Sequence, residues 1–188
     1  KLCGCFCLTK DCEITVECNP KTADEAYFKR LRAAGANRLS IGIQSFHDEE
    51  LSLLGRLHSA KEAEKCVKDA KRAGFVNINL DLMFGLPGQT IEKFFESVRR
   101  AVDLSPMHLS CYSLILEAGT PLELRIHSGE LRLPEEEAER AMYHQLVSYL
   151  AEHGYAQYEI SNFSMKGFES KHNNKYWERK PYIGLGAA

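Results

Sequence analysis

The sequence predicts an α/β protein built as an open, partial parallel barrel, and three observations carry that prediction. Charged amphipathic stretches end three times on a glycine followed at once by a strand-like run, at Ala34-Gly35-Ala36-Asn37, Ala73-Gly74-Phe75-Val76 and His153-Gly154-Tyr155. Glycine just past a helix supplies the left-handed residue that releases the last carbonyls, so helix and strand alternate. The spacing leaves room for a crossover helix after each of the first three strands, which favours parallel pairing over hairpins. Finally, those three strands all keep one polar face.

The elements follow in order. A first strand is predicted over 13–17, where Glu13, Thr15 and Glu17 alternate with Ile14, Val16 and Cys18, and a helix over 23–34 leads to the first glycine junction. The second strand, 38–44, sets Arg38, Ser40 and Gln44 against Leu39, Ile41 and Ile43. A helix over 60–73 precedes the third strand, 76–83, where Asn77, Asn79 and Asp81 alternate with Ile78, Leu80 and Leu82. Further helices are predicted over 90–104 and 135–153, and further strands over 108–114 and 155–160.

Strands covered on both faces by crossover helices read as continuous apolar runs, so the alternation needs a cause. An antiparallel sheet with one wet side is one explanation. An open barrel with a polar lumen, holding a large polar ligand and covered by helices only outside, is the other, and the intervening helices favour it. In such a barrel the active end is where the strands finish, which picks out Glu17, Gln44 and Asp81. Asp81, inside an apolar run, is the least comfortable as a plain surface residue, because a buried carboxylate needs partners.

The chain has 188 residues, 44% hydrophobic and 27% charged, with a formal net charge of -2. That balance is globular and gives no electrostatic reason to expect nucleic acid or an anionic membrane. No run approaches the length of a spanning helix. Five of the seven cysteines fall in the first eighteen residues, which suits thiols in a reducing, cytoplasmic compartment better than a disulfide framework. Both ends are expected to be cuts in a longer protein.

Six runs, taken together and in this order, resemble the coproporphyrinogen-oxidase-like branch of the radical S-adenosylmethionine family: VECNP (16–20), NRLSIGIQSF (37–46), LGRLH (54–58), DLMFGLPGQT (81–90), LSCYSLILEAGTP (109–121) and YEISNF (158–163). The resemblance implies units three to six of an open six-unit radical-SAM-type barrel, without the N-terminal units that bind the cluster. It implies that residues 1–125 belong to the barrel, and that 126–188 hold a helix and a strand leading into a further segment. Carried over residue by residue, it implies contacts to S-adenosylmethionine from Glu17, Gln44, Arg56 and Asp81, with Ile115 lining the adenosine side. Taken alone, Arg56 and His58 read as a basic pair in an exposed loop, and Gly85-Leu86-Pro87-Gly88 as a plain turn.

The family's [4Fe-4S] cluster is held by a Cys-x3-Cys-x2-Cys loop, and this chain departs from it. Cys3 and Cys7 have the first spacing, but Lys10 stands in the third position and Cys5 is extra. The ligands of the cluster are therefore expected outside this chain, which is not expected to perform radical chemistry by itself. HNNKYW (172–177) resembles the His-Asn-x-x-Tyr-Trp motif of the haem-chaperone, HemW-like group. That resemblance implies a protein that binds haem through His172, Tyr176 and Trp177 and passes it to haem-accepting proteins. The alternative is an oxygen-independent coproporphyrinogen III oxidase of porphyrin biosynthesis. His47, His108, His127 and His144 lack ligand spacing and read as structural or solvated.

Overall fold

The computed structural model describes residues 8–186, so Cys3, Cys5 and Cys7 lie outside the described residues. Four strands, β1 (Thr15–Cys18), β2 (Arg38–Gln44), β3 (Asn77–Phe84) and β4 (His108–Ser113), pair in that order and in parallel. Two short strands follow, β5 (Ala156–Gln157) and β6 (Asn162–Ser164). The sheet order is β1-β2-β3-β4-β6-β5, so the sheet stays open, with β1 and β5 as its edges.

Helix α1 (Glu25–Ala33) connects β1 to β2, and α2 (Asp48–Leu53) and α3 (Ala60–Arg72) connect β2 to β3. Helix α4 (Ile91–Asp103) leads into β4; α5 (Pro121–His127), α6 (Glu136–Glu152) and α7 (Lys171–Trp177) complete the chain. The long helices begin where the sequence supplies a cap. Asp24 accepts from the Tyr27 amide, Thr90 from Lys93, and Ser59 and Glu62 form a reciprocal capping box. The three junction glycines stand at φ of 101°, 89° and 86°, where a Cβ would be strained, so each ends its helix as the sequence predicts.

Odd and even strand positions separate cleanly. Leu39, Ile41, Ile43, Ile78, Leu80, Leu82, Leu109 and Cys111 point to the helices and are fully or almost fully buried. There they meet Phe28 of α1, Val67 and Ala70 of α3, Phe94 and Val98 of α4, and Met142, Leu146 and Leu150 of α6. Burying one such side chain contributes about 1.5–3 kcal/mol, and this one-sided layer is the core. The opposite face is polar yet also sequestered: every residue of β2 is buried, Arg38 and Ser40 included. A polar face shut away from bulk water is the mark of a concave lumen rather than of a wet sheet side.

Two expectations are corrected at the end of the sheet. The strand predicted over 155–160 shrinks to β5, because the chain turns at 158–161 and returns as β6. That strand pairs antiparallel with β4 and with β5, so the parallel pattern stops at β4. The short helices α2, α5 and α7 were not foreseen either, since six or seven residues span too few turns to display a period. No described helix is long and apolar enough to cross a membrane.

Candidate functional site

The polar faces of β1 to β4 line one concave cavity of about 860 Å³, which α7 crosses. Strand register stacks the polar face in rows. Thr15, Arg38 and Asn77 form the row where the strands start; Glu17, Ser40, Asn79 and His108 form the next; Gly42, Asp81 and Ser110 the third.

Asp81 sits at the centre. Asn79 Nδ2 donates to its Oδ1 at 2.7 Å, and Ser40 Oγ lies 3.4 Å from its Oδ2. Burial, abetted by the Glu17 carboxylate and opposed by the Asn79 hydrogen bond, pushes its pKa up to about 6. At the end of β2 the register shifts between Gly42 and Gln44, and Gln44 adopts φ 70°. This bulge brings the Gln44 amide against Gly42. A Cβ built on Gly42 would lie 3.1 Å from Gln44 Nε2, 3.7 Å from Asn19 Oδ1 and 4.0 Å from Asp81 Oδ2. Arg56 Nη1 donates to the same Asn19 Oδ1 at 3.2 Å, and the Tyr112 hydroxyl donates to Gln44 Oε1 at 3.3 Å.

The loops behind this cluster are tied together. Buried Glu50 accepts from Ser45 Oγ at 2.5 Å and from Gln89 Nε2 at 3.1 Å, linking the loop after β2 to that after β3. Gly85 to Gly88 is a turn, which Gln89 closes through its backbone bond to Leu86 at 2.9 Å. His58 departs from expectation: it is 5% exposed, its Nε2 lies 3.1 Å from the Ile43 carbonyl, and burial lowers its pKa. Desolvating the ring for that backbone bond is the physical reason it does not share a solvated loop tip with Arg56.

A second chain of hydrogen bonds runs from this centre towards α7. Asn79 Nδ2 faces Ser40 Oγ and Asp81, so its Oδ1 is the acceptor that faces His108 Nδ1 at 2.6 Å. His108 Nδ1 therefore carries the proton, and Nε2 accepts from the Tyr158 hydroxyl at 2.7 Å. Tyr158 Oη in turn receives the Ser170 amide at 3.3 Å, and Ser170 is the N-cap of α7. Burial, with Arg38 nearby, lowers the His108 pKa to about 3, so this ring is neutral and structural.

Helix α7 is also held from the other edge of the sheet. The Glu13 carboxylate accepts from the Lys171 and His172 amides, both at 3.3 Å, and Lys171 Nζ reaches Asp11 Oδ2 at 3.1 Å. His172 faces the cavity, and its ring meets Tyr176 one turn on, edge to face at 4.9 Å. Of the sequence-derived residues, the structure thus gathers Glu17, Gln44, Arg56 and Asp81 around the ends of β1 to β3, with His172 across the cavity. Ile115 stands apart: it is 81% exposed and lines a separate slot with Phe84, Tyr143 and Ile160. Trp177, 64% exposed, does not line the cavity. Asn19 and Tyr112 were missed, although both lie inside the quoted motifs.

These residues suit a polar, cationic ligand carrying ribose-like hydroxyls. Carboxylates accept such donors, Gln44 both donates and accepts, and Gly42 keeps the floor low. An iron-sulfur cluster is not matched in the same way, because no group of three or more His, Cys, Asp or Glu with metal-ligand geometry occurs among the described residues.

Comparison with known proteins places this geometry. Residues 5–101 match the model of the Radical SAM superfamily. The haem chaperone HemW of Bacillus subtilis is 45% identical over 93% of this chain, and that of Escherichia coli 41% over 95%; the chain covers 46% of each. The bovine "Radical S-adenosyl methionine domain-containing protein 1, mitochondrial" is 40% identical over 95% of this chain and 40% of its own length. Among solved structures, the coproporphyrinogen III oxidase HemN of Escherichia coli, described as a radical SAM enzyme, superposes with a TM-score of 0.75 at 27% identity, covering 94% of this chain and 40% of that one. The chain thus spans less than half the length of these relatives, over the strands that carry the cavity. Over nearly its whole length it is similar to the HemW-type proteins, and it belongs to the radical SAM superfamily.

Proposed function

We propose that the protein containing this chain is a haem chaperone, which binds haem at α7 and passes it to acceptor proteins, with S-adenosylmethionine held at the far end of the same cavity. The observation that carries the reading is the placement of His172 over the polar cavity, its ring against Tyr176, in a segment whose wording resembles the haem-binding motif. An imidazole and a phenolate are both iron ligands, and the aromatic Trp177 beside them suits packing against a macrocycle edge. The names of the bacterial relatives support it.

Glu17 and Asp81 accept from ribose hydroxyls or from the ligand's ammonium, Gln44 fixes orientation, and Arg56 pairs the methionyl carboxylate, steadied by Asn19. Ile115 takes the adenosine side once the ligand or further chain reaches its slot. The compartment we infer is the cytosol, in keeping with the free thiols of Cys12, Cys18, Cys66 and Cys111. The second reading, an oxygen-independent coproporphyrinogen III oxidase, is favoured by the likeness to HemN and has the same cavity holding the porphyrinogen.

A haem titration of the full chain and of His172→Ala, followed by the Soret band, tests the first reading. A saturable band weakened at least tenfold in the variant supports it. A band unchanged by the variant, together with turnover of coproporphyrinogen by the full-length protein that contains this chain, transfers the assignment to the oxidase.

A further inference from the structure

Arg38 opens β2 and is 5% exposed, yet its Nε has no hydrogen-bond partner, and its guanidinium forms no ion pair among the described residues. Its two register neighbours share the condition. Thr15 on β1 and Asn77 on β3 flank it in one row, and Thr15 Oγ1 and Asn77 Oδ1 are likewise buried without partners. Three adjacent strands thus present three unanswered polar groups side by side; Thr15 and Arg38 line the cavity, and Asn77 lies next to Arg38 in register. A buried polar atom without a partner costs about 1–3 kcal/mol, more when charged, so such a row is stable only if something else answers it.

The charges nearby do not. Glu13 is engaged by the amides of α7, and Asp81, two rows further along the strands, feels the Arg38 charge through space but forms no ion pair with it. Glu17, on the intervening row, makes no ion pair with the guanidinium. The groups define the missing ligand. Arg38 offers a charged donor and Thr15 a hydroxyl. The Asn77 amide, whose Oδ1 has no partner, can turn its Nδ2 inward to donate. Three donors around one positive charge match a single carboxylate.

We propose that Arg38, Thr15 and Asn77 form a carboxylate-binding row at the start of the strands, and that it takes a propionate arm of the tetrapyrrole whose iron faces His172. The proposal rests on the haem reading for the identity of the ligand, not for the chemistry of the row. Arg38 and His172 line the same cavity, so one macrocycle meets both, the iron at α7 and an acidic arm at the sheet. S-adenosylmethionine then keeps the opposite end, where the strands finish.

The test uses iron-free protoporphyrin IX and its dimethyl ester, which removes iron ligation from the comparison, titrated by fluorescence into the full chain and into Arg38→Gln. Wild type binds the free acid roughly ten- to a hundredfold more tightly than the ester, and Arg38→Gln abolishes that preference. The ligand-free variant melts no lower than wild type, because it loses an uncompensated buried charge. Equal binding of acid and ester by wild type, a preference that survives in the variant, or a clearly lower ligand-free melting point overturns the proposal; the last would mean that the guanidinium has a structural partner. Failure of the haem reading shows separately, as a Soret band indifferent to His172→Ala.

Discussion

His108 Nδ1 stands 2.6 Å from Asn79 Oδ1, and because the Asn79 amide nitrogen already faces Ser40 and Asp81, that contact fixes where the imidazole proton resides. The ring then links two regions that are remote in sequence. Asp81 and Asn79 lie on one side, and Tyr158 and the cap of α7 on the other. A fully buried, neutral histidine in this position holds the cavity wall and the α7 strap in one hydrogen-bonded unit.

Replacing His108 with alanine takes one donor from the Asn79 carbonyl, which keeps Ser110 Oγ at 3.1 Å, and the acceptor from the Tyr158 hydroxyl, which keeps the Ser170 amide at 3.3 Å, and it opens a cavity in the buried wall. Two lost hydrogen bonds at about 1 kcal/mol each, together with the cavity, give an expected loss on the order of 3 kcal/mol in denaturant unfolding. Tyr158→Phe should cost only about 1 kcal/mol, because it removes one end of the chain. It should nevertheless speed amide exchange at Ser170 selectively. Uniformly faster exchange across the sheet would contradict the linkage.

His108 and Asp81 should oppose one another in acid. The His108 pKa falls from 6.5 to about 3 on folding, so the stability it contributes is complete above 6.5 and drains away as pH drops towards 3. That of Asp81 rises from 3.8 to about 6, so its contribution is complete below 3.8 and disappears as pH climbs through 6. Between those limits the slopes partly cancel. Asp81→Asn removes one of them, so urea midpoints measured from about pH 4 to pH 6 should climb more steeply with pH in the variant than in wild type. Parallel profiles would show that Asp81 does not take up its proton in this range.

Gly42 should be sensitive for ligand binding and mild for folding. Its φ lies outside the left-handed region, so alanine is allowed by the backbone, but the new methyl would press to 3.1 Å on Gln44 Nε2. Only a side-chain amide has to give way. The expected result of Gly42→Ala is a stability change of about 1 kcal/mol or less and a roughly tenfold weaker grip on S-adenosylmethionine, read by calorimetry. Unchanged affinity would remove Gln44 from the binding set.

Much of this was legible in the sequence because period-two alternation survives wherever a polar face is sequestered. Glu17 and Asp81 stood out among apolar neighbours, and the three helix-ending glycines marked the crossovers. What escaped depends on contacts that no local pattern encodes. Asn19 joins the cluster only because β1 ends opposite the Arg56 loop, 37 residues away. The burial of His58 depends on a carbonyl fifteen residues back, and β6 is a strand of three residues with no alternation to read. Arg38 lay on the predicted polar face, but its lack of a partner appears only when its neighbours are placed. His172 was found through its motif alone, and its position over the cavity is set by Glu13, 159 residues earlier.

That last separation has a kinetic meaning. The bonds from Lys171 to Asp11 and Glu13 close a loop of nearly the whole chain, so their entropic cost is met only after the βα units between them have condensed. On a ribosome, residues 11 to 164 emerge before α7 does, and the sheet can assemble with its concave side uncovered. Among the described elements the strap is therefore the last to settle, and a ligand too broad to slip beneath a docked α7 has its widest opportunity to enter before it does.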